Sequence, residues 1–272
     1  MNRLERIKGC LLGGAVGDAL GAPVEFLEWS AIEAKFGPQG IIDFAPAYGI
    51  TGATTDDTQM MLFTAEGLLR AYVRGSSRGT CHVPSIIHHA LLRWLVTQDY
   101  PTGYLAAGLF ADILQRIVDR QDSLEHAVTQ SMANYGQKPG MEETHSLIER
   151  VLFFFYEGYQ PTPQRIGELG GGWVAEEALA IGLWCALFAD SLESGVITSV
   201  NHGGDSDSTG LIAGHLLGAQ YGAAAIPARW LIQLELREVI EQMADDIDRV
   251  PREYCGVGGE FDEQIERAYP GY

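Results

Sequence analysis

Apolar positions recur along most of this chain at the three-and-four spacing of a helix, and no segment shows the period-two alternation of a half-buried strand. Residues 3–21 form the first predicted helix, stopped by Ala22-Pro23. A helix from Thr55 to about Val73 carries Met61, Ala65, Leu68, Leu69 and Tyr72 on one face. Ser85–Gln98 follows the same pattern, and its adjacent His88 and His89 point about 100° apart, which makes them surface residues rather than a ligand pair. Further helices are predicted at 104–120, 123–135 and 142–158, the last with Leu147, Val151, Phe154 and Phe155 as its core. Thr162-Pro163 opens a short helix, with proline at the first helical position. Gly170-Gly171-Gly172 breaks it, and Trp173 begins a strongly apolar helix through Ala189, where Glu176 and Glu177 read as first-turn acids. Helices follow at 191–201 and 210–222, and a long amphipathic one runs from Ile226 to Asp248. Residues 36–53, rich in Gly, Pro and Ala, read as a surface loop, and the tail from Pro251 to Tyr272 is weakly patterned. With no linker and no solenoid repeat, residues 1–272 read as one compact all-α domain of roughly ten helices.

Two of these helices share a feature that periodicity alone does not explain. Gly9, Gly13, Gly17 and Gly21 lie four apart, and so do Gly210, Gly214, Gly218 and Gly222. A stripe without Cβ atoms lets another backbone come close, so the two helices are expected to cross at the centre of the fold. The same spacing pairs helices in membranes. Lys8 and Asp18 interrupt the apolar run here, which falls short of the roughly 20 residues needed to span.

Charge narrows the partners. Thirty-six acidic against 18 basic residues give a formal net charge of −18, which repels nucleic acid and anionic membrane alike. Cys10, Cys81, Cys185 and Cys255 form no Cys-x-x-Cys pattern, and Cys10 and Cys185 sit in apolar helical runs as small buried hydrophobes. Without a charged-then-apolar leader, a cytoplasmic protein is expected.

The chemistry concentrates at two helix starts. Thr55 is a good N-cap, and Asp56 and Asp57 fall in the first turn, where the helix dipole favours negative charge. That explains acids there, but not their likeness to Asp205-Ser206-Asp207-Ser208, which follows Gly203-Gly204. An EF-hand loop from Asp205 would need an acid or amide where Thr209 stands and Glu where Leu216 stands. There is no phosphate-loop Gly-Lys-Ser/Thr, and no histidine-rich zinc set. Carboxylates and hydroxyls suit a hard cation. Four carboxylates brought together repel unless cations lie among them, and two divalent ions about 3.5–4 Å apart would suit that composition. Glu25, between Val24 and Phe26, reads on residue type alone as a cap or a solvent-facing acid.

Gly17-Asp18-Ala19-Leu20-Gly21, then Pro23-Val24-Glu25-Phe26, Thr55-Asp56-Asp57-Thr58 and Gly203-Gly204-Asp205-Ser206-Asp207-Ser208 together resemble the ADP-ribosylglycohydrolase family. Gly170-Gly171-Gly172-Trp173-Val174-Ala175-Glu176-Glu177-Ala178-Leu179 looks like its bacterial branch, which includes dinitrogenase reductase-activating glycohydrolase. The resemblance implies an orthogonal bundle of α-helices and two Mg²⁺ or Mn²⁺ ions held by Thr55, Asp56, Asp57, Asp205, Asp207 and Ser208. It implies Glu25 as an acid in catalysis or its gating, and as reaction the hydrolysis of a bond at the anomeric carbon of ADP-ribose. The partner would be an ADP-ribosylated protein or an ADP-ribose-type small molecule.

One departure stands out. Relatives carry a further segment between the helices resembling 85–98 and 104–120, with a Gly-Asn and a Thr-His-x-His-Pro motif and part of the ADP-ribose wall. Here Thr97–Gly103 joins those helices directly. That shortening favours the alternative of a non-catalytic, ADP-ribose-binding or structural relative. A di-metal phosphohydrolase on a helical scaffold is disfavoured, because no His–Asp ligand pair is present.

Overall fold

Helices carry nearly all of the architecture. The computed structural model describes residues 1–95, 104–135, 138–254 and 263–270. Within them lie Arg3–Gly21 (α1), Trp29–Phe36 (α2), Asp56–Arg78 (α3), Val83–Leu95 (α4) and Tyr104–Gln115 (α5). Next come Leu124–Tyr135 (α6), Glu142–Tyr156 (α7), Pro163–Ile166 (α8), Ala175–Leu187 (α9) and Leu192–Val200 (α10). Ser206–Tyr221 (α11), Ala228–Gln233 (α12), Arg237–Glu253 (α13) and Glu263–Ala268 (α14) complete the set. Among the described residues the only sheet is a two-residue hairpin, Pro46–Ala47 (β1) against Ile50–Thr51 (β2). None of the described helices is long and apolar enough to cross a membrane.

The glycine ladders meet as their spacing requires. Gly9, Gly13, Gly17 and Gly21 of α1 face Gly218, Gly214, Gly210 and Ser206–Asp207 in turn, so α1 and α11 run antiparallel. A Cβ at Gly13 would land on the carbonyl of Gly214, and one at Gly214 on the carbonyl of Gly13. Around this crossing pack α9 and α10 against α11, and α13 against α1. α9 is buried from Ala178 to Ala186, with Trp184 wholly enclosed. A second, smaller apolar cluster of Leu69, Val73, Val250, Tyr254, Ile265 and Tyr269 ties α3 to α13 and α14.

Three expectations need correction. The helix expected from Ile226 to Asp248 is two helices, parted where Leu236 takes φ 59°. The amphipathic pattern continues through that break, but a tertiary contact overrides it. The Glu235 N–H donates to Gly52 O at 3.0 Å, and the Glu235 carboxylate accepts from Thr54 N at 2.9 Å. The apolar helix begins at Ala175 rather than Trp173, since Val174, in extended backbone, is its N-cap. The helix expected over 104–120 holds that span, its last turn Arg116–Arg120 wound as a π-helix. The 36–53 loop contains the hairpin, whose Tyr48 (φ 50°) and Gly49 (φ 90°) supply the paired positive angles that a two-residue turn favours. The connection 97–103 lies outside the described residues. So does Cys255, whereas Cys10, Cys81 and Cys185 are free thiols, Cys10 and Cys185 buried. His89 is exposed, as expected, and the His88 side chain lies outside the described residues.

Candidate acid-centred site

The site stands at one end of the glycine crossing, where three chain segments arrive together. The turn after α1 brings Glu25, the N-terminus of α3 brings Thr55, Asp56 and Asp57, and the N-terminus of α11 brings Asp205, Asp207 and Ser208. Thr55 caps α3, its hydroxyl accepting from Asp57 N at 3.2 Å. Asp205 caps α11, accepting from Ser208 N at 3.2 Å. The Ser208 hydroxyl donates to Asp57 Oδ2 at 2.7 Å, which joins the two helix starts directly. One carboxylate oxygen each from Glu25, Asp205 and Asp207 lies within 4.8 Å of the others. Asp56 is exposed beside them.

The electrostatics are those of a centre short of positive charge. Burial pushes Asp57 up to about 7, despite the hydrogen bond from Ser208. Burial first, and then the Asp207 carboxylate, pushes Glu25 up to about 7. Asp207 is raised by burial and by the facing Asp205, and Asp205 is itself raised by burial. Burial leads for all four groups, and other carboxylates and the Ser208 hydrogen bonds follow, with no basic side chain among the larger influences. The donor set is carboxylate and hydroxyl oxygen throughout, which fits a hard divalent ion and excludes the thiolate–imidazole chemistry of a zinc centre.

Three residues that hold the centre were not singled out from the residue pattern. Asp18, wholly buried in α1, accepts from Thr55 N at 3.0 Å, Thr58 N at 3.2 Å and the Thr58 hydroxyl at 2.5 Å, fixing the start of α3. A carboxylate within a glycine-faced apolar helix is the signal that betrays it. Glu235 fixes Thr54 from the α12–α13 break and had no local signal. Tyr48, on the hairpin turn, reaches Glu25 Oε2 with its hydroxyl at 3.4 Å. Phe26, 72% exposed at φ 65°, stacks on Trp173, 52% exposed, with ring centroids 5.4 Å apart and planes 17° apart. A cavity of about 240 Å³ opens where Asp57 and Ser208 meet apolar groups of α5, α9 and α11, among them Phe110 and Ile212.

A helical bundle centred on a glycine crossing, with carboxylate and hydroxyl oxygens converging from two helix starts and one turn, defines a carboxylate-centred all-α scaffold. The sequence profile of the ADP-ribosylglycohydrolase family matches residues 1–100 and 95–256, and the chain belongs to that family of hydrolases. The two matched stretches meet at the 95–100 connection. The chain is 26% identical over 289 residues to the ADP-ribosyl-[dinitrogen reductase] glycohydrolase of Rhodospirillum rubrum, covering 86% of this chain and 91% of the relative. It is 25% identical over 300 residues to the ADP-ribosylarginine hydrolase Tri1 of Pseudomonas putida, covering 92% and 80%. A solved ADP-ribosylglycohydrolase-related protein complex contains a chain that superposes at TM-score 0.54 and 27% identity, covering 91% of this chain and 98% of that one.

Proposed function

We propose that the chain cleaves the glycosidic bond at the anomeric carbon of ADP-ribose, in ADP-ribosylated proteins or ADP-ribose derivatives. Thr55, Asp56, Asp57, Asp205, Asp207 and Ser208 would hold two Mg²⁺ or Mn²⁺ ions, and residues 1–272 would act as one domain. The observation that carries the reading is the convergence of these oxygens from sequence positions far apart, with Ser208 bonded to Asp57 across the site at 2.7 Å. When bound, such ions neutralise the carboxylates and supply Lewis acidity toward ribose oxygens. Glu25 stands at the exposed edge of the cluster, under the Tyr48 hydroxyl, where its carboxylate can hand a proton to the leaving group or take one from water. The cavity beside Asp57 offers an apolar wall, and the Phe26–Trp173 stack an aromatic face. The substrates named for the relatives, ADP-ribosyl-[dinitrogen reductase] and ADP-ribosylarginine, support an ADP-ribosylated protein as the class.

The closeness of Glu25 to Asp205 and Asp207 favours a second reading, in which Glu25 is itself a cation ligand. Glu25→Gln separates the two. With Glu25 as proton carrier, release from ADP-ribosyl-arginine or ADP-ribosyl-serine peptides should fall at least about 100-fold while Mn²⁺ affinity holds. With Glu25 as ligand, Mn²⁺ affinity falls too. For the centre as a whole, Mn²⁺ should raise the melting temperature of the wild type, by mass action about 2.7 kcal/mol at 100 times the Kd. The Asp205→Ala/Asp207→Ala double variant should lose that response, and an unchanged response would sink the site.

A further inference from the structure

Glu177 belongs to none of the clustered acids, yet one hydrogen-bonded path runs from it to Asp205. It occupies the first turn of α9, where an acid already suits the helix dipole. Its carboxylate does more than that. Oε2 accepts from Gly171 N and from Gly172 N, each at 3.1 Å, six and five residues back along the chain. The carbonyl of Gly171 in turn accepts from Asp205 N at 2.8 Å, at the cap of α11.

Glycines stand where the parts of this path touch. Gly170 holds φ 117°, and a Cβ there would collide with the Glu177 carboxylate, so the residue is open to admit the acid. Gly204 holds φ 146°, and its Cβ position is taken by the Gly171 carbonyl. Gly172, at φ 81°, has its open side 3.4 Å from Asp205 Cβ and 3.1 Å from Thr209 Cγ2. The next residue is Trp173, which stacks on Phe26 beside Glu25. A single loop therefore holds Asp205 N and leads into the Trp173 that stacks beside Glu25, and Glu177 is what ties it down.

We propose that Glu177 is a positioning residue of the site: its carboxylate fixes the Gly170–Gly172 loop, and the loop fixes Asp205 at the start of α11 and Trp173 on its aromatic stack. The reach and the acceptor oxygen matter, and the charge does not. Glu177→Gln keeps both, Glu177→Asp is one methylene short, and Glu177→Ala removes the acceptor. The consequence for cation binding rests on Asp205 being a ligand, as proposed above, whereas the consequence for the loop does not.

The experiment uses the full chain, first without metal. Amide exchange at Asp205 is followed by NMR, and the Trp173 near-UV circular dichroism is taken as the difference from Trp173→Phe in each background. Glu177→Ala and Glu177→Asp should speed Asp205 exchange about tenfold or more and erase most of the Trp173 band, because local opening no longer breaks a tethered loop. Mn²⁺ titration should then show about tenfold weaker binding, the range seen when an outer residue orienting a metal ligand is lost. Glu177→Gln should stay within about threefold of wild type on every readout. Unchanged Asp205 exchange and Trp173 band in the Ala variant would overturn the proposal, as would a Gln variant that matches Ala. If the Ala variant does not fold, the Asp–Gln pair decides, and an Asp variant like wild type overturns it. Should the wild type bind no Mn²⁺, the cation reading fails, and the exchange and Trp173 readouts still judge Glu177 alone.

Discussion

His215 shows what a single side chain contributes when it fills the glycine crossing rather than the acid site. It lies on α11 in the space left by Gly14, where a Cβ would strike its ring. Nδ1 donates to Cys10 O at 2.8 Å, Cys10 Sγ lies 3.4 Å away, and the Phe110 ring faces it at 6.0 Å. Burial pulls its pKa down to about 4, so the native state holds it neutral. The unfolded chain, with histidine near 6.5, takes up the proton first. The stability His215 provides is therefore whole above about pH 6.5 and is lost as the pH falls toward 4, on the order of 3 kcal/mol. Urea denaturation from pH 7 to 4 should show wild type losing stability more steeply than His215→Asn, by about 1.4 kcal/mol per pH unit for the one proton. Parallel curves would show that the ring is not held neutral. At this scale the acids and hydroxyls of the site were legible, because Thr55–Asp57 and Asp205–Ser208 repeat an unusual grouping at two helix starts. Glu235 was not, because it serves a backbone N–H that only the tertiary fold brings near, and Glu177 read only as a first-turn acid because its loop partners depend on how Gly170–Gly172 turns.

Between elements, the contact that sets the fold is backbone on backbone. The carbonyls of Gly13 and Gly214 occupy the places where each other's Cβ would stand, so Gly214→Ala must push α11 away from α1. We expect it to cost about 3 kcal/mol, the upper end of ordinary overpacking, because a backbone cannot rotate aside as a side chain can. Gly108, in α5, has nothing among the described residues within 4 Å of its Cβ position, and Gly108→Ala should stabilise by about 0.5–1 kcal/mol through helix propensity alone. Thermal melts of the two variants should move in opposite directions, and a shared direction would remove the crossing from its central place. The four-residue glycine spacing made this pair of helices readable in advance, though not the register Gly9–Gly218, Gly13–Gly214 and Gly17–Gly210. The α12–α13 break was not readable, since Leu234, Glu235 and Leu236 keep the apolar rhythm, and the cause of the break is Gly52 and Thr54 far away in sequence. Helix ends drifted for the same reason: Trp173 continues the apolar run on paper but leaves the helix to stack on Phe26.

For the molecule as a whole, charge and chain length act on the same ligand. A formal charge of −18 opposes a pyrophosphate, and the acid cluster opposes it most where the ribose would have to sit. Cations at Asp56, Asp57, Asp205 and Asp207 would reverse that local field, so ADP-ribose binding should require Mg²⁺ or Mn²⁺ and vanish with a chelator. The walls are a separate matter. Rate at an anomeric carbon depends on a held adenine and pyrophosphate as well as a held ribose. The 97–103 connection is expected to omit part of the wall that relatives carry, and the family match divides at 95–100. What the described residues retain is the 240 Å³ apolar cavity beside Asp57 and the Phe26–Trp173 face. Metal binding should therefore be intact while ADP-ribose binds at least about tenfold more weakly than to the Rhodospirillum rubrum glycohydrolase, roughly 1.4 kcal/mol. Calorimetric titration of both proteins with ADP-ribose at saturating Mg²⁺ measures the difference. Equal affinities would show that the cavity and the aromatic face suffice, and that the omitted segment serves the choice of protein partner rather than the hold on the nucleotide.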